Sequence, residues 1–202
     1  MKAFCLTAIS LLSAAQVCAG YLEDIGVDDL RARDGSLNGA GVTVAQVEAP
    51  FNGDEYQTHH VNVNLDSSIF TYYDSVNPWS AGGASFDSSR ESVHANIVGG
   101  RFFDDPDGVA PGVAAIQVFE AGHFYNDLLR FEVSTNAKVV NQSFVFLSQS
   151  ETVDRNYDDY AAFYNVLFVN GINTNNNPAT LPSPGSSYNG ITVGVVDGPH
   201  TP

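Results

Sequence analysis

Few side chains in this 202-residue sequence could do covalent chemistry. Its two cysteines, Cys5 and Cys18, both fall within the first 19 residues, so the remainder has no thiol nucleophile and no cysteine-based metal site. His59, His60 and His123 show no H-E-x-x-H or other metal-ligand spacing, which argues against a zinc enzyme. Asp104, Asp105 and Asp107 lack the D-x-D-x-D-G spacing of a calcium loop and read as a solvated acidic turn. The sequence gives no support for structural calcium, and no metal or cofactor is expected. That leaves oxygen nucleophiles. A serine hydroxyl needs a base within hydrogen-bond reach and a carboxylate to orient that base. Taken alone, His94 is an ordinary helix histidine and Glu48 a charge at a strand end. Ser186 and Ser187 do not sit in a G-x-S-x-G elbow, because Asn189 follows Tyr188, so no serine of this chain is assigned as a nucleophile.

Any such chemistry depends on the elements that hold these residues. Residues 42–47 read as a strand entered from Gly39-Ala40-Gly41. Ser88 with Glu91 forms a capping-box pattern, and His94, Ile97, Val98 and Arg101 follow at helical spacing. Residues 113–119 form a second short apolar run. Phe124, Leu128 and Phe131 repeat as an amphipathic helix would. Residues 139–146 are β-branched and aromatic, hence strand-like, and Val153, Tyr157, Tyr160, Ala161 and Tyr164 mark another helix face. Residues 166–169 and 191–196 are continuous apolar runs of the kind buried on both faces of a sheet. The Asn-, Pro- and Ser-rich stretch 173–187 reads as a loop. Strands alternating with helices imply right-handed βαβ units, an α/β domain with a mainly parallel sheet, and working residues at the carboxyl ends of the strands.

Six segments, in order from about Gly39 to Asp197, resemble the subtilisin-like serine peptidase family. The run 41–48, G-V-T-V-A-Q-V-E, resembles the family's first strand, which ends in an acidic residue. The run 92–100, S-V-H-A-N-I-V-G-G, resembles its H-G-T-H-V-A-G helix start, and G-V-A-P-G-V-A at 108–114 resembles the segment that follows. V-V-N-Q-S at 139–143 resembles the strand lining the family's substrate groove. V-L-F-V-N-G-I-N at 166–173 resembles the strand ending in A-A-G-N, and 182–197 resembles the P-A-x-Y-x-x-V-I-[AT]-V-G-A segment.

The resemblance implies a three-layer αβα subtilisin-like domain and hydrolysis of polypeptide substrates. By that resemblance His94 is the general base, Glu48 takes the place of the family's aspartate with one extra methylene, and Asn173 is the oxyanion-hole asparagine. Asn141 and Ser143 would line the substrate cleft, where a peptide adds as a strand. Where the family has S-L-G, this chain reads Ser143-Phe144-Val145, without the glycine that lets substrate backbone approach. The family's nucleophile motif, G-T-S-[MA]-[AS]-x-P, does not occur. The expectation is therefore an incomplete domain over residues 39–202, lacking its C-terminal part and inactive alone. A non-catalytic peptide-binding protein of the same fold is the alternative. An acid-acting carboxyl peptidase of the sedolisin type fits poorly, since its glutamate comes from a helix and it needs no histidine base.

The N-terminus and the composition bound the setting. Lys2, the apolar stretch 3–15, and Val17 and Ala19 at the −3 and −1 positions read as a secretory signal peptide over residues 1–19, and hence as export. Residues 20–38 form a short segment before the first strand, too short for a folded pro-domain. The net charge of −15, with 23 acidic against 8 basic residues, argues against nucleic-acid or membrane partners. Oligomeric state is left open.

Overall fold

The computed structural model describes residues 16–172 and 181–194. Two short helices, α1 (Gln16–Asp24) and α2 (Val27–Arg33), precede the sheet, and α1 runs across the cleavage point expected before Gly20. The strands are β1 (Thr43–Glu48), β2 (Phe70–Tyr73), β3 (Ala115–Glu120), β4 (Val139–Gln142), β5 (Leu167–Gly171) and β6 (Gly190–Val193). They form one sheet in the order β2-β3-β1-β4-β5-β6, and every pairing is parallel. The chain leaves β1 toward one side of the sheet and β4 toward the other, so the topological switch lies between these neighbours, where α/β folds place their clefts.

Alternation along β1 assigns the layers. Ala45 and Val47 enter a core with Phe119, Val140 and Phe168, closed by Tyr157, Tyr160 and Ala161 of α5 (Glu151–Tyr164). Val44 faces the other way, into a core with Ile116, Val118, Tyr72 and Phe103, the last of these capping α3 (Val93–Phe102). Helices thus cover both faces, as expected for an αβα arrangement. Helix α5 forms because Ser150 caps it, Glu151 and Asp154 occupy its first turn, and its buried residues recur every three or four positions. Asn165, in the left-handed conformation, ends it.

Several sequence expectations need correction. Ser88 and Glu91 do not cap α3. Asp87 caps a 3-10 turn over Ser88–Arg90, and Ser92 caps α3 by accepting from the Ala95 amide. The helix marked by Phe124 and Leu128 is a short α4 (Ala121–His123) continuing as a π-turn over Phe124–Leu129, and Phe131 is exposed beyond it. β4 stops at Gln142, and Phe146 turns away to donate its amide to the Ser183 carbonyl. β6 is an edge strand, not a doubly buried one: Ile191 and Val193 are each 50% exposed. Residues 195 and 196 of that apolar run lie outside the described residues. The sequence reading also missed β2, whose aromatic residues Phe70, Tyr72 and Tyr73 are all buried. No described helix is long and apolar enough to cross a membrane.

Candidate active site

Glu48 is the last residue of β1, and His94 the second of α3. Their meeting follows from chain geometry. The β1 backbone delivers a carboxylate at the carboxyl edge of the sheet, and Ser92 starts α3 so that His94 projects from its first turn. Oε2 of Glu48 lies 3.0 Å from Nδ1 of His94, across 46 residues of sequence. The carboxylate is buried (2% side-chain exposure), while the imidazole is 43% exposed. An ionised carboxylate can only accept, so Nδ1 carries the proton and donates it, leaving the lone pair on Nε2. The hydrogen bond to Glu48 raises the His94 pKa above the ordinary histidine value; partial burial opposes this, and the carboxylate charge adds to the rise. Among the described residues, Glu48 is the sole side-chain hydrogen-bond partner of His94. The arrangement can hold a base in one tautomer and stabilise the imidazolium once it takes a proton.

Behind the pair lies a buried polar layer. Gln46, two residues earlier on the same face of β1, donates Nε2 to Oε1 of Glu48 at 2.7 Å and to the Ala95 carbonyl at 2.9 Å. Thr58 Oγ1 lies 2.9 Å from Oε1 of Gln46 and 3.1 Å from the same Ala95 carbonyl. Gln46, Glu48 and Thr58 are all buried. The sequence reading missed Gln46 and Thr58. An amide inside the otherwise apolar strand V-A-Q-V-E was a legible signal for Gln46; nothing local marks Thr58.

Asn141 and Ser143 stand on the same side of the sheet. Asn141 is in register with Gln46, and its Nδ2 donates to Ser143 Oγ at 3.1 Å. Both line an open groove of about 400 Å³ between α3 and the sheet, with Ile97, Val98, Phe102, Val139 and Val169 among its apolar walls. Neither bonds to the Glu48–His94 pair, and neither member of that pair lines the groove. Asn173 lies outside the described residues.

His123, His59 and Asp104 each have partners of their own away from this pair. His123 is buried, with Nδ1 2.7 Å from Asp127 and Nε2 accepting from the Trp79 amide. His59 stacks on Phe86 at 4.2 Å. Burial pushes the Asp104 carboxyl above its usual range, against a hydrogen bond from Asn64. No cluster of three or more metal-ligating side chains occurs among the described residues.

No protein-family model matches the chain, and no curated protein matches it. Among solved structures, one described as proteases from Pseudoalteromonas arctica is similar, with a TM-score of 0.53 and 19% identity over 78% of this chain and 57% of that one. The chain thus spans a little over half the length of that neighbour. The likeness shows a shared α/β fold, and at this identity it shows the fold alone.

Proposed function

We propose that this chain carries the acid–base half of a serine-type peptidase of the subtilisin-like kind. The observation that carries this reading is the buried Glu48 carboxylate seated 3.0 Å from Nδ1 of a half-exposed His94 at the switch point of a parallel sheet. In this reading His94 Nε2 takes the proton of a serine hydroxyl as it attacks a peptide carbonyl, then returns that proton to the departing amine. Glu48 holds the tautomer and offsets the imidazolium charge. Asn141 and Ser143 border the groove that receives the polypeptide, and Asn173 supplies an amide to the oxyanion. Export through residues 1–19 belongs to the same proposal. In this reading none of the chain's own serines is assigned as the nucleophile, and a serine hydroxyl brought to Nε2 completes the site.

A second reading, a peptide-binding protein without chemistry, is favoured by the apolar groove itself. It is open and mostly hydrophobic, as a docking surface is.

Labelling of the protein from its natural source with a fluorophosphonate, followed by peptide mapping, separates the two. A modified serine whose labelling collapses in His94→Ala supports the peptidase. Absence of both labelling and peptide hydrolysis, with retained peptide binding, rejects it in favour of the second reading.

A further inference from the structure

A glutamate has one more rotatable bond than an aspartate, so a buried glutamate that must present one chosen oxygen to a histidine needs something to hold the other. Gln46 sits where that is done. Its amide nitrogen has two hydrogens and two acceptors at hydrogen-bond distance, Oε1 of Glu48 and the carbonyl of Ala95. Its amide oxygen faces the Thr58 hydroxyl. The reversed amide would set a third oxygen against a carboxylate and a carbonyl with no proton between them, so the orientation is determined by its surroundings. Ala95 is the residue after His94. The same amide therefore ties the strand carrying the acid to the helical turn carrying the base.

We propose that Gln46 is a positioning residue of the Glu48–His94 pair: it clamps one carboxylate oxygen and the first turn of α3 so that the other oxygen faces Nδ1. Thr58 pins the clamp in turn. The inference rests on the proposed function, in which that pair acts as base and orienting acid, and deepens it.

The test reads the His94 ring by nitrogen and proton NMR in the 202-residue protein. Gln46→Met keeps the volume and removes both donors. The Nδ1–H tautomer should lose its dominance, and the His94 titration midpoint should fall toward the ordinary value of about 6.5. Thr58→Val, which leaves Gln46 in place but unpinned, should move both readouts the same way and less far; Thr58→Ser, which keeps the hydroxyl, should restore them. If Gln46→Met does not fold, Thr58→Val against Thr58→Ser carries the comparison. A folded Gln46→Met protein with the parent tautomer and midpoint overturns the proposal, as does a midpoint that rises. Glu48→Gln tells this failure from that of the broader reading. If Glu48→Gln changes neither readout, the pair itself fails; if it changes both while Gln46→Met changes neither, only the clamp fails.

Discussion

Gly99 of α3 lies directly against Thr58: a β-carbon placed on it would come within 2.8 Å of the threonine Cγ2 and 3.0 Å of the Phe103 ring. Thr58 and Phe103 are themselves fully buried, so neither can swing aside. The glycine thus sets how closely α3, and with it His94, approaches the layer that holds Glu48.

Gly99→Ala is therefore expected to destabilise the protein by about 1–3 kcal/mol through overpacking, outweighing the roughly 1 kcal/mol that alanine gains over glycine in a helix. Urea unfolding measures this. An unchanged or raised midpoint would mean that α3 can retreat without cost, and that its distance from Thr58 is not fixed by packing.

Stability should depend on pH through His94. Its folded-state pKa is raised, chiefly by the hydrogen bond to Glu48. The stabilisation is then fully present below the unfolded value of about 6.5 and is lost as pH rises through the folded value. Urea midpoints across that interval should decline in the parent, and the decline should flatten in Glu48→Gln. With the ring 43% exposed, solvent screening keeps the effect small. An identical slope in Glu48→Gln would assign the pH dependence to other groups.

Substituting the family's residue tests whether the glutamate is a built feature. Glu48→Asp withdraws the carboxylate by about 1.5 Å, one carbon–carbon bond. From contacts of 3.0 Å to His94 and 2.7 Å to Gln46, both bonds would pass out of reach. The His94 midpoint should fall in Glu48→Asp, despite the retained charge. A midpoint equal to the parent's would show that β1 shifts to serve either acid.

Much of this arrangement was legible before the structure. The strand at 42–47 and the helix around His94 were read from β-branched runs and helical spacing, whereas Glu48 and His94 were paired as candidates only by the resemblance of their segments to the subtilisin-like family. The readings that failed depended on tertiary context. Local spacing alone could not choose Ser92 over Ser88 as the cap, because both are serines just ahead of the helical pattern and only Ser88 has a glutamate three residues on. Apolar character could not show that Ile191 and Val193 face outward, because exposure depends on what packs across the sheet. Gln46 and Thr58 meet only after the segment that follows β1 folds back against that strand, so their partnership has no signature in sequence order.

In the opposite layer, the Tyr157 hydroxyl accepts from Nε2 of Gln142 at 2.9 Å, with both residues buried, and burial pushes the phenol pKa well up. Tyr157→Phe keeps the edge-to-face packing on Phe168 but strands the amide nitrogen in the core. A loss of about 1–3 kcal/mol is expected, seen as a lowered melting temperature. No change would indicate that Gln142 finds another acceptor on relaxation.

The uncovered side of β5 and β6 makes the last prediction. Leu167, Ile191 and Val193 are exposed, and Ile97 of α3 is exposed at the groove beside Asn141 and Ser143. A patch of this kind is uncommon on a soluble monomer. The 202-residue protein should therefore bind a hydrophobic dye in its folded state. Ile191→Thr with Val193→Thr should cut the signal while leaving the melt in place, because threonine keeps the β-branched shape and neither side chain is fully buried. A parent protein that melts cooperatively as a monomer and binds no dye would mean that some part of it already covers this face. The groove beside Asn141 and Ser143 would then be closed to a polypeptide, and both readings of the function would lose their binding site.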